Sequence, residues 1–203
     1  DAFERVLEKM RYIEFGAGSL TIRQRKEITS LLPNVTIYNT WGSSESGGAI
    51  FCNVSEVVQN EKLIGALGKP LEGSVIIRVL NEEGNIVKGD QEHPGRMSLK
   101  GDMQMSGYWK NSEATKETLA EGWLLTGDMV YLQDDYVFML GRADSIINVG
   151  GEKVSPIEVE NVAGQYEKIK SFTIKLSGLA TVAIHSGNLT TSNTHPTMIQ
   201  SMI

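Results

Sequence analysis

The segment best suited to chemistry on a phosphate is a loop of glycines, serines and one carboxylate. It follows the predicted strand Val35–Tyr38 and runs from Asn39 to Gly48. Ligands of α/β sheets bind beyond the carboxyl ends of parallel strands, where glycines let backbone N–H groups approach phosphate oxygens and a serine hydroxyl donates one more hydrogen bond. Beside a phosphate, Glu45 has a clear use only through a bridging cation, and Mg²⁺ does this. A solvated Gly/Ser turn has the same composition, so the loop alone leaves both interpretations open.

Three further motifs share the order and spacing of a known family. They are Phe15–Leu20, which contains Gly-Ala-Gly, the Thr-Gly-Asp sequence that ends at Asp128, and Gly141–Glu160, where Arg-x-Asp precedes a twin-glycine turn. With the loop above, they resemble the AMP-forming acyl-adenylate ligases, the family of acyl-CoA synthetases, luciferases and peptide-synthetase adenylation domains. The resemblance covers about residues 10–175, with the motifs in family order.

The resemblance implies a role for each motif. Trp41 would stack on adenine, Ser44 would contact the α-phosphate and Glu45 would hold Mg²⁺. The turn Gly16–Gly18 would form the adenine site, because residues without bulk let a ring approach the backbone. Asp128 would bind the ribose, since a carboxylate can accept hydrogen bonds from both sugar hydroxyls. The candidate catalytic residues are Ser44 and Glu45, the metal ligand is Glu45, and the candidate cofactor-binding residues are Gly16, Ala17, Gly18, Trp41, Gly42, Ser43, Asp128, Arg142, Gly150 and Gly151.

The stretch after Gly141 is similar to the family's hinge. Arg142 would supply a second ribose contact and a positive charge near the phosphates. Asp144 would be the hinge between an adenylate-forming and a thioester-forming pose, since a hinge must absorb a large change in φ and ψ. Gly150 and Gly151 would line the thiol channel of the second pose.

One motif departs from the family pattern. Arg96 stands where the family usually has Glu, and we expect a structural role for it. Tyr108 and Trp109, which follow in the same motif, are interpreted as aromatic residues of the core or of a subdomain interface.

Periodicity and turn signals predict the elements that position these motifs. Residues 1–11 carry apolar side chains at helical spacing, which predicts an amphipathic helix. Thr21-x-x-Gln24 has the form of a capping box, and it opens a helix that Pro33 stops. The order strand, helix, strand predicts a parallel pair with a crossover helix.

The remainder predicts a β-rich region and a second helical start. Short β runs are predicted at Ser74–Leu80, Ile86–Val87, Arg96–Leu99 and Tyr136–Leu140, with a helix at about Ser112–Leu119 and a final strand at Lys168–Leu176. Further on, Ser155 as N-cap, Pro156 at the first helical position and Glu158 at the third predict the start of a helix.

The predicted fold is therefore α/β plus β. It comprises the C-terminal part of a large adenylate-forming domain, with a parallel α/β layer and a small antiparallel β-barrel or sheet, and the start of a small α+β domain. The predicted limits are 1–64 for the α/β part, 65–140 for the β-rich subdomain, 141–146 for the hinge, 147–176 for the truncated C-terminal domain and 177–203 for a disordered tail.

Composition excludes several classes of protein. A formal net charge of −6 argues against a general nucleic-acid binder, which would carry a basic stripe. The chain has no apolar run of the ~18 residues that a transmembrane helix needs. Cys52 is the single cysteine, which excludes an internal disulfide and favours a reducing compartment, so we expect a cytoplasmic location. No charged residue follows Lys175, so the tail is either a flexible polar segment or foreign to the fold.

The family's machinery is expected to be incomplete in this chain. The resemblance places the Ser/Thr/Gly-rich loop that grips the β and γ phosphates before residue 1, and a C-terminal lysine beyond residue 175. We therefore expect this fragment to be nearly inactive by itself.

The function implied by the resemblance is that of an ATP-dependent acid–thiol ligase. Such an enzyme activates a carboxylic acid as acyl-AMP and transfers it to coenzyme A, with ATP, AMP and Mg²⁺ as its other ligands. Two alternatives stay open: an adenylation domain that loads a carrier-protein pantetheine, and a catalytically inactive nucleotide-binding remnant.

Overall fold

The computed structural model describes residues 6, 9–16, 18, 20–149, 152–164, 171–177 and 179–185. The predicted helix over residues 1–11 lies almost wholly outside these residues. The candidate site residues Ala17, Gly150 and Gly151 also lie outside them, as do residues 186–203 of the tail.

Two parallel strands joined by a helix form the first α/β layer. Strand β1 (Tyr12–Phe15) pairs in parallel with β2 (Thr36–Ser43), and α1 (Ile22–Leu31) makes the crossover. The capping box is present, because the Gln24 backbone N–H donates to Thr21 Oγ1 at 3.3 Å and the Thr21 N–H donates to Gln24 Oε1 at 2.9 Å. The predicted parallel pair is confirmed.

A hairpin replaces most of the loop predicted from Asn39 to Gly48. Strand β2 continues to Ser43 and pairs in antiparallel register with β3 (Gly47–Asn53), which in turn pairs with β4 (Lys69–Pro70). The turn is therefore only three residues long. The prediction of a long loop was wrong because the strands stay paired as far as Ser43 and Gly47. Gly42 lies opposite Gly48 at a bulge beside Trp41, and its lack of a side chain lets the strand approach the Gly47 carbonyl closely.

A second, larger sheet follows. Its strands are β5 (Val75–Leu80), β6 (Ile86–Val87), β7 (Gly95–Gly101), β8 (Leu119–Ala120), β9 (Trp123–Gln133) and β10 (Tyr136–Arg142). They are ordered β10-β9-β7-β5-β6, and β8 pairs with β9. Two short helices, α2 (Val54–Val57) and α3 (Ser112–Thr118), lie between strands in sequence. The sequence did not predict β9, whose middle carries the Thr-Gly-Asp motif.

One buried cluster joins side chains from both sheets. Its members at 0% exposure are Ala49 and Ile50 from β3 and Met97, Leu99, Val130 and Val137 from the larger sheet. Trp41 packs against this cluster from β2. The core therefore fixes β2 and β3 relative to the larger sheet.

The chain divides into two compact units between Met139 and Leu140. In the second unit, β11 (Ile147–Val149) and β12 (Glu152–Val154) form an antiparallel pair that precedes α4 (Pro156–Ala163). The helix start is as predicted, because the Glu158 backbone N–H donates to the Ser155 hydroxyl at 3.2 Å with Pro156 at the first position. The other predicted domain limits remain predictions.

The last described elements of the second unit form an antiparallel pair, β13 (Ser171–Ser177) with β14 (Leu179–His185). Strand β14 lies in the segment for which we expected disorder, so that expectation was wrong for residues 179–185. The physical reason is the content of β-branched residues in Leu-Ala-Thr-Val-Ala-Ile, since Thr, Val and Ile favour a strand despite the lack of charge. Within the described residues, no helix has the length and apolar character needed to cross a bilayer.

Candidate functional site

A cavity of about 220 Å³ lies along the C-terminal half of β2, in the first unit. Its lining residues are Gly18, Asn39, Thr40, Trp41, Gly42, Leu67 and Met139. The volume is below the ~300–1,000 Å³ of pockets that enclose a whole drug-sized ligand. The cavity therefore suits one part of a larger ligand, such as a flat ring.

Two of the candidate glycines line this cavity for different reasons. A Cβ added to Gly18 would meet no atom within 4 Å, so packing does not require glycine there. A Cβ on Gly42 would collide with the backbone carbonyl of Gly47, so the hairpin itself requires that glycine. Gly16 resembles Gly18 in having open space around it, but it does not line the cavity.

Asn39 links the two walls of the cavity. The side chain is 3% exposed, and its Nδ2 donates to the backbone carbonyls of Phe15 at 2.9 Å and Gly18 at 3.2 Å. Its Oδ1 accepts from Arg25 at 3.5 Å. The turn that carries Gly18 is thus held against β2 by a side chain of β2.

Arg25 supports Asn39 from α1 and is only 2% exposed. It donates to the carbonyls of Leu20 at 3.1 Å, Ile64 at 2.9 Å and Ala66 at 2.8 Å. Burial lowers the pKa of the Arg25 guanidinium. Burial likewise raises the pKa of the Cys52 thiol, an effect that the neighbouring Arg25, at 3.6 Å, opposes. Backbone carbonyls thus accept three of the hydrogen bonds that this buried guanidinium donates.

The turn of the hairpin is built by serine hydroxyls. Ser43 Oγ accepts from the backbone N–H groups of Glu45 at 3.2 Å and Ser46 at 3.1 Å, and the Ser43 N–H donates to the buried Ser46 hydroxyl at 2.9 Å. Ser44 is exposed at the apex, and its hydroxyl has no hydrogen-bond partner among the residues that the structure describes. Ser43 therefore shapes the turn, and Ser44 presents a hydroxyl at its surface.

Glu45 is half-buried and is held by the segment before α3. Its Oε1 accepts from the Tyr108 phenol at 2.9 Å, and its backbone carbonyl accepts from the Met105 N–H at 2.7 Å. Mg²⁺ is typically bound by one or two carboxylates together with substrate phosphates. The carboxylate of Glu45 is a donor of this type. The described part of the chain contains no group of three or more metal-ligating side chains.

Asp128 lies apart from the cavity, in β9 of the larger sheet. It is 3% exposed, and its backbone N–H donates to Thr126 Oγ1 at 3.2 Å. The Thr126 hydroxyl donates to the Met97 carbonyl at 2.9 Å. The backbone carbonyl of Thr126 accepts from the Arg96 guanidinium at 3.3 Å. Arg96 thus contacts the Thr-Gly-Asp motif, in line with the expected structural role. Asp128 does not line the cavity.

The second unit carries the remaining candidates that the structure describes. Arg142 is exposed at the end of β10. Asp144 is exposed in the turn that follows, where Ser145 donates its hydroxyl to Asp144 Oδ1 at 3.1 Å and its backbone N–H to the Arg142 carbonyl at 2.9 Å.

Sequence reasoning gave no role to several residues of the site: Arg25, Asn39, Thr40, Leu67 and Met139. A signal existed for Asn39, because it continues the two-residue alternation of Val35, just before β2, and Ile37, within β2. This alternation places a polar amide among buried positions. Trp109 does not belong to the core of the described residues, since it is 88% exposed, and its place at a subdomain interface stays a prediction.

Comparisons with known proteins agree on one family. The family model described as "AMP-binding enzyme" matches residues 2–109, just over half of the chain. A 2-succinylbenzoate–CoA ligase of Oceanobacillus iheyensis is 33% identical over 71% of this chain, which spans only 28% of that protein. The amide bond synthetase McbA from Marinactinospora thermotolerans matches 89% of this chain and 38% of its own, with a TM-score of 0.77 and 21% identity. The anthranilate CoA ligase AuaEII, solved with anthranoyl-AMP, matches 86% of this chain and 32% of its own, with a TM-score of 0.72 and 25% identity.

Proposed function

Because this chain belongs to the family of AMP-binding enzymes, we propose that the protein containing it is an ATP-dependent acid–thiol ligase. It would activate a carboxylic acid as acyl-AMP and transfer the acyl group to coenzyme A. The observation that carries this proposal is one continuous strand and turn, in which Trp41 lines a ring-sized cavity and Ser44 and Glu45 follow three and four residues later.

The first half-reaction follows from that arrangement. The substrate carboxylate attacks the α-phosphate of ATP, a new P–O bond forms, and the bond to pyrophosphate breaks. Negative charge accumulates on the non-bridging oxygens, and fixed donors aimed at those oxygens lower the barrier. Trp41 would hold the adenine, the Ser44 hydroxyl would donate to the α-phosphate and the Glu45 carboxylate would hold Mg²⁺. When bound, Mg²⁺ would neutralise phosphate charge.

The remaining roles extend the same proposal. Asp128 would be the ribose ligand of the first unit, and Arg142 would be a cofactor-binding residue of the second unit. Asp144 would be the hinge, and Gly150 and Gly151 would line the thiol channel. Two of the three named relatives are CoA ligases, which favours coenzyme A over a carrier-protein pantetheine as the acceptor. We propose a cytoplasmic location on the ground of the single, unpaired cysteine.

The test is the stoichiometry of ATP use by the complete protein that contains this chain. With a panel of aromatic and aliphatic carboxylic acids, we expect acid-dependent formation of AMP and pyrophosphate. Formation of ADP and phosphate, or no acid-dependent turnover, would overturn the proposal.

The Trp41→Ala substitution tests the base site directly. Stacking of a base on an aromatic side chain is worth ~1–3 kcal/mol, so we expect the KM for ATP to rise on the order of 10-fold while the KM for the acid changes less. Trp109→Ala is the matched control, because Trp109 is 88% exposed and should leave both constants unchanged. Equal effects of the two substitutions would remove Trp41 from the adenine site.

A further inference from the structure

Tyr108 joins two motifs that are 63 residues apart. Its phenol donates a hydrogen bond to Glu45 Oε1 at 2.9 Å. The ring is 37% exposed, so the contact is not forced by burial in the core. A phenol-to-carboxylate bond is charge-assisted and restricts the rotation of the carboxylate.

The same segment also fixes the backbone of Glu45. The Met105 N–H donates to the Glu45 carbonyl at 2.7 Å. A Cβ added to Gly47, which has φ of +67°, would lie 2.7 Å from the Cβ of Met103. The segment from Met105 to Tyr108 therefore holds Glu45 through both its backbone carbonyl and its carboxylate.

Tyr108 is itself anchored on α3. Its backbone N–H donates to Thr115 Oγ1 at 2.9 Å, and that hydroxyl donates to the Asn111 carbonyl at 2.7 Å. Gly107 has φ of +148°, and a Cβ there would lie 2.8 Å from Thr115 Cγ2. The close approach of Gly107 to α3 thus fixes the position of the Tyr108 backbone, from which the phenol extends.

We propose that Tyr108 is a positioning residue that orients the Glu45 carboxylate for a divalent cation bound with a nucleoside triphosphate. This inference rests on the proposed function, in which Glu45 holds that cation. Mg²⁺ demands near-octahedral geometry and dehydrates reluctantly, so a carboxylate fixed in advance binds it at a smaller entropic cost. Tyr108 acts through Glu45 and does not itself touch the substrate.

Calorimetric titration of the complete protein with ATP tests this, once with excess Mg²⁺ and once with EDTA. The Kd in EDTA divided by the Kd in excess Mg²⁺ is the ratio that measures how much the cation contributes to ATP binding. Tyr108→Phe should lower this ratio about 5-fold, the size expected for one hydrogen bond, and leave the Kd in EDTA unchanged. Tyr12→Phe is the matched control, because Tyr12 is also exposed and its phenol donates to Glu14 at 2.7 Å.

Glu45→Gln and the double variant separate the possible outcomes. The inference holds if Glu45→Gln lowers the ratio and Tyr108→Phe then has no further effect. It is overturned if Tyr108→Phe changes nothing in the wild-type background, or lowers the ratio equally in the Glu45→Gln background. An unchanged ratio in Glu45→Gln would overturn the metal role of Glu45 and this inference with it, while absent ATP binding by the wild type would overturn the proposed function itself.

Discussion

At the scale of single residues, glycine serves two different needs in the cavity wall. Gly42 faces Gly48 across the hairpin, and any side chain there would strike the Gly47 carbonyl. Gly18 has open space where a side chain would stand, so its smallness affects the cavity and not the packing of the chain. The same residue type thus serves folding at one position and, we infer, ligand approach at the other.

Gly18→Ala should therefore weaken ATP binding without destabilising the protein. One methyl group in the wall of the cavity should raise the Kd for ATP about 10-fold, since a mismatch of one methylene in a pocket is worth ~1–3 kcal/mol. Calorimetric titration measures the Kd, and thermal unfolding measures the stability. Gly65→Ala is the control, because Gly65 is exposed and an added Cβ would make only an ordinary contact of 3.9 Å with Ile22. A lowered Tm with unchanged affinity would contradict the assignment of Gly18 to the cavity.

At the scale of elements, α1 does more than connect β1 to β2. Through Arg25 it satisfies three carbonyls from two separate segments, that of Leu20 in one and those of Ile64 and Ala66 in the other. Through Asn39 it also supports the turn at Gly18. The position of the cavity wall thus depends on one buried guanidinium in this helix.

Arg25→Met should destabilise the first unit strongly. It would leave buried carbonyls without donors, at a cost of at least ~2 kcal/mol in the free energy of unfolding. Arg23→Met is the matched control on the same helix, because Arg23 forms only an exposed ion pair with Glu27 at 3.5 Å, worth ~0.5 kcal/mol or less. Denaturant unfolding followed by circular dichroism measures both, and similar losses for the two variants would refute the role of Arg25.

The elements with clear local signals were predictable, and those decided by pairing were not. The capping box at Thr21 and the helix start at Ser155-Pro156 were recognised because a few consecutive residues specify each of them. Trp41-Gly42-Ser43 and the Thr-Gly-Asp motif have the composition of loops, yet they lie in β2 and β9 because cross-strand partners determine their conformation. The Tyr108–Glu45 bond was missed for the same reason, since nothing local connects residues so distant in sequence.

At the scale of the whole molecule, the division between Met139 and Leu140 lies close to the expected hinge. Asp144 is five residues beyond it, in an exposed turn closed by the Ser145 N–H and the Arg142 carbonyl. A hinge acts through its freedom of φ and ψ, whereas a catalytic aspartate acts through its carboxylate. These two roles can be separated by substitution.

Asp144→Pro should spare acyl-AMP formation and slow thioester formation. Proline fixes φ near −65°, and a misplaced second unit could cost about 10²-fold in that step. Asp144→Ala removes the carboxylate but keeps φ free, so it should retain both steps. Single-turnover assays of pyrophosphate release and of acyl-CoA formation measure the two steps separately, and loss of both steps in both variants would contradict a hinge role.

The burial of Cys52 makes the reactivity of its thiol a measure of local opening. It is the sole cysteine, it is 0% exposed on β3 beside Arg25, and burial raises the pKa of its thiol. Alkylating reagents attack the thiolate, so iodoacetamide can modify Cys52 only while the structure around this thiol opens transiently. The rate of alkylation therefore reports how often the sheet that holds the cavity opens.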